Sequence, residues 1–358
     1  MAVIMGSSVL AVIAGSGRAA QASAVDAQTT QINGKIAADQ QFGDAFIINK
    51  DGSDKDYLGL SRSTACQFWS PDGRKLACNV FSDSGPIPAT VHRDGSHFRY
   101  LNSGLPLDFF CMYWSPNARR LLCHSEGIQD PADAGFYTAR SSDAGGRVRI
   151  TTTPNGFYDL AYGFSPDGSR ILFGRFDFAT NTGRLYVVNR DGSHQVRLSP
   201  PRWRVIDLTF FDQVGAGWSH NGSRVTFAAI NQSKQGLPSR LFVVDADGGN
   251  LRAITPRRLN AISAQWSPSR RLITFTSCCA GNQVWVVRPN GAKLRKVVSS
   301  KHGADFMAPV WSPNGKKLLF DKKASGGKYS LWTVRLDGSR LRRLTRVKGF
   351  THYAWGSR

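Results

Sequence analysis

His302 and His352, with Asp305 three residues after the first, have the side chains best suited in this 358-residue chain to proton transfer or metal ligation. His124 is a lesser candidate of the same kind. A second group comprises Trp203, Arg204, Asp207, Phe211 and Arg257. Its rings suit stacking on sugars, its guanidinium groups suit carboxylates or phosphates, and its carboxylate suits hydroxyl donors. The same aromatics also suit packing between sheets, and the arginines suit solvated loops. No stretch has metal-ligand spacing, so no metal and no other cofactor is expected. There is no G-x-S-x-G elbow and no glycine-rich phosphate loop. These residues lie far apart in the chain, so chemistry here depends on a scaffold that gathers separate loops.

That scaffold is repetitive. Trp69, Trp114, Phe164, Trp218, Trp266, Trp311 and Trp355 follow one another at spacings of 45, 50, 54, 48, 45 and 44, a period that marks a propeller or a solenoid. Around each aromatic, apolar and β-branched runs flank a Ser-Pro-Asp-Gly type of turn. Between aromatics a second pair of runs flanks Asp-Gly, as in LYVVNRDGSHQVRLS and LWTVRLDGSRLRRLT. Proline presets one backbone angle and glycine supplies the positive φ of a tight turn, so each unit reads as two hairpins, or four strands. Helical periodicity is absent.

The N-terminal stretch NGKIAADQQFGDAFIINKDGSDKDYLGL matches the later part of a unit, and the chain ends on THYAW, a first strand alone. The expected fold is therefore all-β, a seven-bladed β-propeller closed by pairing of the N-terminal strands with the C-terminal strand. Six blades is the alternative if the terminal pieces do not pair. Closure removes the open edge of a linear array.

WSPDGRKLA, FSPDGSRILF and WSPNGKKLLF, each followed by a VxxDGSxxRxLT type of stretch, resemble the repeats of the TolB-like propellers over about residues 33–358. The separate N-terminal α/β domain of TolB has no counterpart. The resemblance implies the fold. It implies function only broadly, because the family's fold serves periplasmic binding proteins, protease propellers and polysaccharide lyases.

The thirteen-residue stretch from Cys66 to Cys78 returns as Cys111 to Cys123. The residue three before each aromatic and the residue nine after it read Cys66/Cys78, Cys111/Cys123, Ala161/Phe173, Gly215/Phe227, Ser263/Phe275 and Ala308/Phe320. A large ring always meets a small residue, and cysteine always meets cysteine, as expected of two opposed side chains sharing one volume. Disulfides are expected at Cys66–Cys78 and Cys111–Cys123, each contributing about 3 kcal/mol. Cys278 and Cys279 form a strained vicinal bond, stay free, or pair between molecules.

The first 24 residues hold an apolar run followed by Ala22-Ser23-Ala24, which fits an export signal, leaving residues 25–358 as one propeller domain. Paired cysteines agree with an exported, periplasmic, cell-surface or secreted protein. No other segment has the roughly 18 apolar residues of a membrane span. Lys and Arg number 46 against 25 Asp and Glu, a net charge of +21, which favours acidic partners at low salt. Part of that charge is structural: Arg99, Arg252, Arg295 and Arg342 recur on the outermost strand, where cations oppose sheet-to-sheet association.

In a propeller, the loops entering each first strand and those joining strands two and three surround the channel mouth. His302 and His352 fall there, as does the long segment Ser199 to Gly217, and loops exceeding the needs of connection are where function concentrates. Asp108, Asp159, Asp212 and Asp305, with Asn260, recur about six residues before the aromatic, a repetition that suits loop caps better than a catalyst. Two classes of function follow. One is a monomeric binding or scaffold module for a protein or an acidic polysaccharide at the mouth, with nucleic acid not expected. The other is a carbohydrate-active enzyme, hydrolase or lyase, working from the same loops.

Overall fold

The computed structural model describes residues 33–40, 43–60, 64–82, 85–101, 108–127, 130–180, 182–205, 215–231, 238–269, 271–277, 282–299, 305–349 and 351–357. They form antiparallel strands in chain order. Five sheets have four strands and one has nine. In the Trp69 unit, Thr64–Trp69, Lys75–Ser82, Gly85–His92 and Arg99–Tyr100 pair in that sequence. The Trp114, Trp266 and Trp311 units repeat the plan. The remaining four-stranded sheet joins the two ends of the chain. Thr351–Ser357 pairs with Asn33–Gln40, which pairs with Gly43–Ile48 and then Asp56–Tyr57.

The nine-stranded sheet contains the Phe164 and Trp218 units, linked by Trp203–Val205. This corrects the reading of Ser199 to Gly217 as one loop. The strand Arg224–Asn231 has eight residues, and Ala216–Trp218 pairs only with Val225–Phe227. Trp203–Val205 occupies the rest, pairing with Ala229–Asn231 on one side and touching Gly183 on the other. An exposed row of backbone donors and acceptors is thereby satisfied.

The turns explain the repeated Ser-Pro-Asp-Gly. The Ser70 hydroxyl donates to Asp72 at 2.6 Å and accepts from the Lys75 amide at 2.9 Å, while Gly73 takes φ 65°. Ser115, Ser165, Ser219 and Ser312 do the same in their units. Ala118 stands at the glycine position of one such turn with φ 57°, a strained choice for a residue with a Cβ. The recurrent outer-strand arginines also reach the next unit. Arg252 donates to the Pro289 carbonyl at 3.2 Å, and Arg295 donates to that of Leu336.

The core lies between successive sheets, where buried rings and aliphatic side chains form separate clusters. Both expected disulfides are formed, Cys66–Cys78 and Cys111–Cys123, with Cα separations of 4.2 and 3.9 Å. Cys278 and Cys279 lie outside the described residues. Ala161 faces Phe173 as the shared-volume argument requires. Phe227, however, faces Ala216 rather than Gly215. The cystine and Ala161 units carry a β-bulge that inserts one residue before the aromatic, and Ala216–Trp218 has none, so its register moves by one.

Candidate functional site

The first strand of each unit runs inward to its aromatic, and the bulges decide what those strands present. Register shifts fall between Cys66 and Phe68, Cys111 and Tyr113, Ala161 and Gly163, Ile262 and Gln265, and Met307 and Val310. A bulge re-aims the residues beside it. Here the residue just before the aromatic is turned to the interior: Phe68, Tyr113, Gln265, Val310 and Ala354 line one cavity of 590 Å³. Tyr162, Ser263 and His352 join them. Burial pushes the Tyr113 phenol up to about 12, so it stays a neutral hydroxyl.

The aromatics fix this wall. In four units the indole N–H donates to the carbonyl just before the aromatic of the preceding unit, as Trp114 does to Phe68 at 2.9 Å, Trp218 to Gly163 at 3.3 Å and Trp311 to Gln265 at 3.1 Å, whereas the buried indole N–H groups of Trp266 and Trp355 make no such bond. Trp69 donates in the same manner to Ala354 at 3.2 Å, across the chain ends. At these four positions the repeated tryptophan is thus a stitch between neighbouring first strands.

Of the repeated polar residues before the aromatics, Asp212 lies outside the described residues, and the others are committed to local hydrogen bonds. Asn260 accepts from the amide and hydroxyl of Ser239 at 2.9 and 2.8 Å, and Asp305 accepts from the Asn282 amide at 3.1 Å. Each thereby holds the start of the third strand in the preceding unit. Asp108 accepts from the Ser125 hydroxyl at 3.1 Å. Asp159 is the most heavily engaged: Arg175 grips both its oxygens at 2.7 Å, and the Thr153 hydroxyl donates at 2.8 Å. Burial works against the Arg175 charge, and the bond to Asp159 outweighs it, holding the guanidinium above its ordinary value. His124 sits beside this pair between Phe110 and Phe136. Burial pushes its pKa down to about 4, against the pull of Asp159 and Asp108, so the ring is neutral at physiological pH.

Among the site residues expected from sequence, His352 lines the cavity. Asp305 starts a first strand and serves as the cap described above. Trp203 is half-buried edge-on against Phe242 at 4.6 Å, while its carbonyl accepts from Arg184. It packs between strands. Arg204 is half-buried in the linking strand, opposite Ile230. Arg257 is exposed in the short 3-10 turn Arg257–Leu259. Asp207, Phe211 and His302 lie outside the described residues. Sequence reasoning missed the positions just before the aromatics. Their signal was positional, one residue from the motif, with no shared residue type.

With that geometry in place, comparison with known proteins is decisive for the repeats. The TolB beta propeller domain family matches residues 211–355. The repeats of residues 211–355 are TolB-like. The Tol-Pal system protein TolB 1 of Novosphingobium aromaticivorans is 37% identical over 83 residues, which span 23% of this chain and 18% of that protein. The Tol-Pal system protein TolB of Anaeromyxobacter dehalogenans is 30% identical over 106 residues, 29% of this chain and 24% of that protein. These matches therefore cover less than a quarter of either relative. Among solved structures, TolB from Acinetobacter baumannii is similar with TM-score 0.54 and 15% identity, over 87% of this chain and 78% of that one. A manganese-bound oligogalacturonate lyase reaches TM-score 0.61 at 13% identity, over 88% of this chain and 85% of that one. The β-propeller domain of the Trilobed protease from Pyrococcus furiosus reaches 0.61 at 12% identity, over 88% of this chain and 95% of that one. At such identities these structures share the fold alone. Proteins this different in their named activities on one scaffold leave function to the site.

Proposed function

We propose that this chain is an exported, seven-bladed TolB-like propeller, its ring closed by the sheet that joins Asn33–Gln40 to Thr351–Ser357, and that it binds a protein partner at the channel mouth. The observation that carries the reading is how the carboxylates at the starts of the first strands are spent. Asp108, Asp159 and Asp305 are held by Ser125, by Arg175 with Thr153, and by the Asn282 amide. The first strands at whose starts these residues stand wall a 590 Å³ cavity with Phe68, Tyr113, Tyr162 and four tryptophans, and its lining extends to Pro71, Pro268 and Pro313 in the first-to-second turns. Such a wall suits the apolar side chains of a protein segment better than an acidic sugar, and aromatic pockets are where binding energy concentrates. Two disulfides and the Ala22-Ser23-Ala24 signature support an oxidising, exported location. Relatives named for the Tol-Pal system share the repeats, which supports a protein partner.

The test is a binding and turnover screen of the purified protein. It uses acidic and neutral glycans at two salt concentrations, alongside affinity capture from the source organism's envelope with wild type and Tyr162→Ala. The reading expects a captured protein that Tyr162→Ala loses, and no glycan product. Product from an acidic polysaccharide would replace it with the carbohydrate-active enzyme. Salt-sensitive glycan binding without product would replace the protein partner by a glycan.

A further inference from the structure

The net charge is concentrated in one part of the chain. Residues 283–348 hold sixteen Lys and Arg against three Asp, accounting for thirteen of the net +21 in under a fifth of the sequence. Of those three aspartates, Asp321 is fully buried and Asp305 caps a loop at the mouth, leaving Asp337 alone among the turns.

In an antiparallel four-stranded meander, the first-to-second and third-to-fourth turns share one end, opposite the mouth. The Trp266 unit brings Arg288, Lys293, Arg295 and Lys296 to that end, all exposed. The Trp311 unit brings exposed Lys316, Arg335, Arg340, Arg342 and Arg343. The two groups are contiguous, because the Arg295 guanidinium bonds the Leu336 carbonyl in the turn between Arg335 and Arg340. Lys317 lies among them: burial, and then the charges of Arg335, Lys50, Arg340 and Arg342, hold its ammonium below the usual value. Asp51, which feels Arg342, and Asp337, beside Arg335, offset only part of this charge, and the remaining cations repel one another and cost stability unless an anion meets them.

Their arrangement selects the anion. They cover turns and an outer strand without belonging to the channel cavity, and an exposed leucine, Leu341, 45% accessible, stands between Arg340 and Arg342. Cations spread over exposed turns and an outer strand around an exposed apolar side chain suit a lipid headgroup layer, while a linear polyanion is better held in a groove. The paired disulfides fit a compartment outside the cytoplasm.

We propose that the turn-bearing end of the Trp266 and Trp311 units is a docking surface for an anionic lipid bilayer, which holds the propeller with its channel mouth facing away from the membrane.

Co-sedimentation of the full chain with phosphatidylcholine vesicles, with and without phosphatidylglycerol, tests this. Binding is expected only with phosphatidylglycerol and is expected to fade with added salt. The quadruple variant Lys293→Asn, Lys316→Gln, Arg340→Asn, Arg343→Gln is expected to weaken it by on the order of a hundredfold. A control removing equal charge from the turns of other units, Arg93→Gln, Arg119→Gln, Arg147→Gln, Arg190→Gln, is expected to change it by about threefold or less. If the first variant melts early, Arg343→Glu alone takes its place, with an expected loss of about tenfold. Equal losses in the two quadruple variants, or no binding to anionic vesicles, would overturn the proposal. So would binding of alginate or duplex DNA with the same variant sensitivity when vesicles are ignored.

Discussion

The Trp114 and Phe164 units are neighbours with the same four-strand plan, and they solve three identical positions differently. Where the first crosses its hairpin with Cys111–Cys123, the second packs Phe173 over Ala161. Where the first stitches to the preceding unit through an indole N–H, the second has Phe164, which has no such donor. Where the first meets Asp108 with the Ser125 hydroxyl, the second commits Asp159 to a bidentate arginine and a threonine. The backbone fixes a volume and a hydrogen-bonding geometry at each position, and several chemistries satisfy it. Repetition in this chain therefore reports the scaffold, and departures from repetition report local stabilisation as readily as function.

The sharpest way to break the comparison is Asp159→Ala. It leaves the Arg175 guanidinium, only 14% accessible, without its counter-ion. Removing one partner of a buried pair typically costs about 3–5 kcal/mol, and the loss should appear as a lower denaturation midpoint at unchanged slope. A loss below about 1 kcal/mol would mean that water replaces the carboxylate and that the pair is a surface feature.

Next in size is the cross-hairpin position. Cys111→Ala with Cys123→Ala should cost about 3 kcal/mol through lost chain restraint alone. Cys111→Ala with Cys123→Phe copies the neighbouring unit and should recover most of that loss. If the swap is no better than the double alanine, the shared-volume argument fails for this unit.

His124 lies between the two units' carboxylates and distinguishes them by pH. Its folded pKa is about 4 against an ordinary 6.5, with burial as the cause. The unfolded chain therefore takes up a proton first as pH falls. Stability from this group is complete above about pH 6.5 and is lost on the way down to pH 4, amounting to about 3 kcal/mol. Wild type minus His124→Phe, followed by denaturant unfolding across that window, should show this slope. A flat difference would mean that the imidazole reaches solvent or a proton acceptor in the folded state.

These positions also show what was legible beforehand. The disulfides could be read because two opposed side chains constrain each other's size, and covariation between units exposed that constraint. The capping acids could be read because they recur. The cavity wall could not. Its positions hold Phe68, Tyr113, Gln265, Val310 and Ala354, since side chains meeting in a central space from different units need only fill it together. Trp203–Val205 could not be read as a strand either, because three residues carry too little alternation to separate a strand from a loop. The basic sector was visible only as a net charge until the meander brought Arg288 through Lys296 beside Lys316 through Arg343.

The smallest expected effect sharpens the comparison most finely. Trp114→Phe gives this unit the residue its neighbour already has, and it removes one hydrogen bond, to the Phe68 carbonyl, with modest loss of ring area. A single buried hydrogen bond contributes about 1 kcal/mol net, so the variant should fold with a slightly lowered midpoint. Trp69→Phe removes the same bond at the junction of the chain ends, where the acceptor is Ala354. If that junction is an interface like the others, the two variants should differ by less than about 0.5 kcal/mol and both should unfold in one transition. A second, earlier transition in Trp69→Phe alone would instead mean that the sheet formed by Asn33–Gln40 and Thr351–Ser357 opens before the rest. The stitch between first and last units would then be the weakest of these interfaces.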